Sequence, residues 1–182
     1  MDGVTPETGL EKRIIHDPAW CEGVGWGKPR PGHPEGSVGA HIGEVLANVE
    51  EVALDLEDRR RLRLIALIHD TFKYQVDRRR PRTGGNHHAA IARRFAARYI
   101  QDSDVLEVIE LHDEAYNAWS MGDRRGRWEA AEARAQRLLD RLGETVELYL
   151  RFYRADNRTG SKDQAPLRWF EDLARVARAS GR

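Results

Sequence analysis

Cysteine is almost absent: Cys21 is the only one in 182 residues, which excludes an intramolecular disulfide and a zinc site built on several thiolates. Any bound metal has to be held by imidazole and carboxylate. Long apolar runs are missing as well. None approaches the roughly 20 residues needed to span a bilayer, and the opening "MDGVTPETGLEKRIIHDPAW" lacks the basic-then-apolar order of a signal peptide. A cytoplasmic protein with no membrane partner is expected. Neither sign of charge is in excess, with 30 basic against 30 acidic residues, so stable nonspecific binding of nucleic acid is not expected.

What remains is a chain with 40% hydrophobic and 33% charged residues, long enough to bury the core of one domain. Residues 1–35 are rich in Gly and Pro, as in "GVGWGKPRPGHPEG", and read as an irregular lead-in to a helical domain over 36–182. Two basic turns stand out, "DRRRPR" at 77–82 and "DRRGR" at 123–127. Each reads either as solvated arginine or as a means of drawing an anion to a nearby pocket.

From about 37 to 54, Val38, Ile42, Val45, Leu46, Val49 and Val52 recur at three- and four-residue intervals, the mark of one buried helical face. A second helix over about 57–72 runs through Leu62, Ile65 and Ile68 into His69-Asp70. Asn86 is a candidate N-cap for a helix over 87–100, and Asp102 for one over 103–118. Further helices are expected over 126–142, 144–157 and 166–179, with Pro166 suited to a first turn. The fold reads as an all-α bundle.

The ionisable residues can be placed on these faces. His41 shares the apolar stripe of its helix. His88 lies on the face of Ile91, Ala92, Phe95 and Tyr99, whereas His87 falls with Arg94 and Arg98 and is expected to point outward. His112 continues Val105, Val108 and Ile109, and Asp156 continues Phe152 and Tyr153. His41, His69, Asp70, His88, His112 and Asp156 are thus all expected to face the interior. Buried carboxylates and imidazoles need partners, and a divalent metal would satisfy them together.

The order of these residues resembles the HD-domain superfamily of metal-dependent phosphohydrolases: a His, a His-Asp pair, then a distant Asp, here His41, His69-Asp70 and Asp156. The flanks are similar too. "GHPEGSVGAHIGEVLANV" at 32–49 looks like the lead-in to the first ligand helix of the HD domains of bacterial tRNA nucleotidyltransferases, and "LIHDTFK" like their His-Asp-x-x-Lys. The resemblance spans roughly residues 32–160 and implies a single helical domain of the HD type. Some members insert two further His ligands between the pair and the last Asp, the places of His88 and His112. By that resemblance Asp70 would bridge two metals, with His41, His69 and Asp156 on one and His88 and His112 on the other. Lys73 resembles the superfamily lysine that contacts substrate phosphate.

Two other dipeptides compete. His16-Asp17 precedes Pro18 without apolar periodicity and reads as a turn element. In His112-Asp113, Asp113 is expected to face outward or to steady a ligand. His33 is an alternative first ligand, although its "GHPEG" loop favours a substrate contact or a plain loop residue. Arg158 and Lys162 read as anion contacts or exposed salt-bridge partners. Glu114 has the same ambiguity, with orientation of a water or of a ligand His as its functional reading.

Imidazole with carboxylate suits Mn, Fe, Co, Ni or Zn better than Mg. One or two such ions lower the pKa of water toward about 7 and clamp phosphoryl oxygens. Hydrolysis of a phosphomonoester or phosphodiester, on a small nucleotide-like substrate, is the expectation, with Asp70 and Lys73 as its catalytic residues. HD-type di-iron oxygenases, resembling myo-inositol or organophosphonate oxygenase, share the ligand pattern and remain the alternative. A degenerate nucleotide-binding HD domain is disfavoured by the intact ligand set.

Overall fold

The computed structural model describes residues 4–32 and 34–179. Among them every regular element is helical: α1 (Gly9–Ile15), α2 (Pro18–Val24), α3 (Val38–Val52), α4 (Leu56–Ile68), α5 (His88–Ala96), α6 (Ser103–Leu111), α7 (Glu114–Arg125), α8 (Trp128–Leu142), α9 (Val146–Asn157) and α10 (Ala165–Ala179), with short 3-10 turns at Thr71–Gln75, Gly84–Asn86 and Gly143–Thr145. No helix of these residues is long and apolar enough to cross a membrane.

Local chemistry starts each ligand-bearing helix. The Ser37 hydroxyl accepts from the Ala40 N–H at 3.1 Å and opens α3, while Asp55 accepts from Glu57 and Asp58 and opens α4. The apolar stripes of α3 and α4 meet each other and α9, sealing Ile42, Val45, Val49, Leu62, Ile65 and Phe152 in the core. Helix α5 packs on α6, α7 on α8, and α10 closes the far side against α7, α8 and α9.

Four expectations need correction. The lead-in is irregular only in part, since α1 and α2 fold within it. Thr8 caps α1, Asp17 caps α2, and Pro18 takes the first turn, where its missing N–H costs nothing. Both helices dock on α4: Glu11 and Arg63, 1% and 4% exposed, form a bidentate pair at 2.9 and 3.1 Å, and the buried Trp20 indole donates to the Leu67 carbonyl at 2.7 Å. A Cβ on Gly23 would stand 2.0 Å from the Thr71 carbonyl, so only glycine lets α2 lie against the turn that follows His69-Asp70.

The second helix ends at Ile68 rather than 72. The His69 N–H makes the last bond, to Ile65, and a 3-10 turn with a non-helical Phe72 follows. The helix over 103–118 is two helices, α6 and α7, broken at His112-Asp113. The Tyr149 hydroxyl sits at this break, donating to the His112 carbonyl at 3.3 Å and accepting from the Ala115 N–H at 3.2 Å. It replaces the helical bonds that the break removes. Asn86, expected to cap α5, instead closes the preceding loop, and His87 is the N-cap.

Candidate metal centre

The His69-Asp70 and His112-Asp113 dipeptides are built alike. Each histidine is the first residue past its helix, and its Nδ1 hydrogen donates back to the carbonyl three residues earlier: His69 to Ala66 at 3.0 Å, His112 to Ile109 at 2.9 Å. With Nδ1 committed as a donor, Nε2 of the neutral ring keeps its lone pair and faces inward. His41 is set similarly, its Nδ1 lying 3.5 Å from the Glu35 carboxylate. Glu35 came without any sequence signal, because it sits in an aperiodic loop six residues before His41.

Asp70 stands between the rings. Its Oδ2 is 3.7 Å from His41 Nε2 and 3.6 Å from His69 Nε2, while its Oδ1 is 3.4 Å from His88 Nε2 and 3.3 Å from His112 Nε2. Asp156 joins the first pair, with Oδ1 2.9 Å from His41 and 3.7 Å from His69. His41, His69, Asp70 and His112 are each 5% exposed or less. All six residues expected inside therefore converge, and they divide into two groups that share Asp70.

Whether this set fits a cation can be judged from its own contacts. His41 and His69 bring their Nε2 atoms to 3.2 Å, as do His88 and His112. In the first pair His41 Nε2 also lies 2.9 Å from Asp156 Oδ1, so two imidazole nitrogens and a carboxylate oxygen crowd one point, an arrangement that a shared cation satisfies at once. Four imidazoles and two carboxylates form a donor set for a divalent transition ion. The residues fit the metal that their order implies.

Electrostatics agrees with the division. Burial works to raise the Asp70 carboxyl, yet the Lys73 ammonium and the surrounding rings hold it well below the ordinary carboxylate range. Asp156 is treated the same way by Lys162, His41 and His69. Burial pushes His69 down and His88 down to about 4. His112 moves the other way, because its bond to Asp70 and the charge of Asp113 outweigh its burial. Neutral His69 and His88 beside ionised Asp70 and Asp156 are in the protonation state that a metal requires.

The remaining candidates are more scattered. Lys73 pairs with Asp70 Oδ2 and lines a cavity of about 750 Å³ beside His87, His88 and Asp113. Lys162 bonds Asp156 Oδ1 and its carbonyl, both at 2.9 Å, which makes it a partner of the cluster rather than a surface cation. Arg158 instead joins Glu51 at 2.9 Å, is largely exposed, and does not line that cavity. His33 lies outside the described residues. Glu114 is held by Arg134 through two bonds of 2.8 and 2.9 Å. His16 and Asp17 are a capping turn.

Two neighbours behave differently from their helical-wheel positions. His87 does not turn away: as N-cap of α5 it borders the cavity, its ring 4.5 Å from that of His88 and its Nε2 3.5 Å from Asp113 Oδ2. Asp113 leans inward toward both histidines and is held below its usual pKa, burial being outweighed by His112, His88 and His87. A wheel cannot place either one, since both stand at helix ends.

No curated protein and no solved structure gives a significant match to the chain. A family model for the HD domain matches residues 38–144, a span that holds His41, His69-Asp70, His88 and His112. With the fold all-helical and these residues gathered into one cluster, the chain belongs to the HD-domain family.

Proposed function

We propose that this protein is a metal-dependent phosphohydrolase acting on a small phosphomonoester or phosphodiester, nucleotide-like in character, in the cytoplasm. The observation that carries this reading is the sharing of Asp70, whose two oxygens face two separate histidine pairs. Two divalent ions are proposed, one held by His41, His69 and Asp156, the other by His88 and His112, with Asp70 common to both. When bound, such ions supply Lewis acidity toward a phosphoryl group and lower the pKa of water toward about 7.

The chain's own residues supply the rest. Asp70 and Asp156 stay ionised, and the backbone bonds of His69 and His112 hold their rings in one orientation. Lys73, part-buried at the cavity wall, is placed to take a phosphate oxygen without leaving Asp70. His87 borders the same cavity and can pass a proton from Nε2 to a departing oxygen, with Asp113 balancing its charge. The balanced net charge supports a small-molecule partner rather than nucleic acid.

The test is a panel of mononucleotides, cyclic nucleotides and phosphodiesters incubated with Mn, Co or Ni. Release of phosphate or nucleoside that disappears in Asp70→Ala supports the reading. A silent panel, together with dioxygen consumption and a mixed-valence di-iron spectrum, replaces it with the oxygenase.

A further inference from the structure

The cavity over the cluster is lined by five cations and two carboxylates: Arg30, Lys73, Arg78, Arg82 and Arg134 against Asp113 and Glu114. Two of the five cations are accounted for internally. Arg134 is held by Glu114 and Lys73 by Asp70. Arg30, Arg78 and Arg82 have no ion pair with any described residue, although they come from two separate parts of the chain to one rim.

The adjoining cavity, about 820 Å³, makes a useful contrast. It too is rich in arginine, but Arg93 and Arg141 are bound by Glu110, Arg141 also by Glu107, and Arg134 by Glu114, while Arg94 meets the Gly85 carbonyl and Arg137 has no ion pair with a described residue. The rim above the His/Asp cluster differs in gathering three unpaired guanidiniums beside a candidate ligand, His88. Nor is the loop that carries Arg78 and Arg82 loosely built. Asn86 ties it into a ring, its amide donating to the Asp77 and Pro81 carbonyls at 3.0 and 2.9 Å and accepting from the Asp77 N–H at 2.9 Å. Arg79 and Arg80 of the same run do not line the cavity.

A single phosphate at the cluster has Lys73 and leaves three guanidiniums without a partner. We propose that the substrate carries a second phosphate group, bound by Arg30, Arg78 and Arg82, so that the enzyme acts on a phosphate chain or a bisphosphate. Guanidinium is suited to this task because its fork matches two phosphate oxygens at once. The half-buried Trp26 on the same wall offers an apolar face to the rest of the molecule. This rests on the hydrolase reading for the first phosphate, but the second site can be measured by itself.

The test is calorimetric titration of the metal-loaded protein, in excess Mg, with inorganic tripolyphosphate and with orthophosphate. Tripolyphosphate is expected to bind at least tenfold more tightly. That preference is expected to vanish in the triple variant Arg30→Gln, Arg78→Gln, Arg82→Gln and to persist in Arg79→Gln, Arg80→Gln, which removes charge from the same loop outside the cavity. Equal affinity for the two anions, or equal losses in both variants, overturns the proposal. A protein that shows the preference yet cleaves no phosphoester keeps the second site and sinks the hydrolase reading. One that cleaves p-nitrophenyl phosphate without the preference does the reverse.

Discussion

Replacing Asp70 by Asn tests the shared carboxylate most directly, because the size of the side chain is kept while one charge and one oxygen donor are lost. Both histidine pairs face this residue, so both groups are weakened at once. At free metal about 1,000 times the dissociation constant, binding to the folded state contributes roughly 4.1 kcal/mol per ion. For a chain of this length about 1 kcal/mol moves Tm by roughly 2–4 °C, so each ion is expected to raise the wild-type Tm by roughly 8–16 °C. Losing the bridging charge is expected to weaken the binding of each about 100-fold, at the upper end of what removing an outer-shell partner costs. At the same free metal the variant then retains about 1.4 kcal/mol per ion and a shift of roughly 3–6 °C for each. Thermal scans with and without Mn, read beside the metal content of the dialysed proteins, provide the assay. The chelated variant serves as its own baseline, which removes any effect of the substitution on the metal-free fold. A variant whose metal-dependent shift and metal content equal those of the wild type would refute the role of Asp70.

Other outcomes follow from single contacts. Glu35→Gln keeps the shape beside His41 Nδ1 and removes its charge; metal affinity in a competition titration is expected to fall about 10–100-fold with the helical circular dichroism unchanged, and an unaltered affinity would count against the contact. Glu11→Gln leaves the buried Arg63 with only the exposed Glu7 as a close carboxylate, 3.0 Å away, so urea unfolding is expected to show a loss of about 1–3 kcal/mol, whereas a change below about 0.5 kcal/mol would mean the pair is not what fastens α1 to α4. In the metal-free protein, His88 titrates at about 4 when folded and near 6.5 when unfolded. The unfolded chain therefore binds the extra proton between those values, and His88 makes stability decline as pH falls through that window; His69 acts in the same sense, whereas His112, raised above its usual value, contributes stability that is lost only as pH rises above about 6.5. His88→Asn is expected to reduce the slope of stability against pH there by up to about 1.4 kcal/mol per pH unit, and an unchanged slope would contradict the depressed value.

The sequence was most readable where periodicity is longest. The stripe of α3 placed His41 inside, and the stripes of α6 and α9 pointed at His112 and Asp156, because a residue three or four positions beyond an apolar side chain shares its face. The rule weakens at helix ends. His87 and Asp113 were assigned outward or left open, yet both turn to the cavity, since one is an N-cap and the other sits in the break held by Tyr149. The lead-in was misread for a related reason. Its Gly and Pro signal interruption, but Pro18 starts a helix and Gly23 permits a close approach, and neither role is visible without the surface that α2 meets.

The sequence by itself determined the helical class, the imidazole and carboxylate chemistry open to any metal ligand, and the inward placement of six such residues, because these depend on residue type and on spacing within one helix. Tertiary structure alone decided how the six divide around Asp70, that Lys162 belongs to the cluster while Arg158 pairs with Glu51, and that Arg30 meets Arg78 and Arg82 at one rim. Those relations join segments far apart in the chain, and their distances are set by how the helices pack, a quantity that no local pattern of side chains encodes.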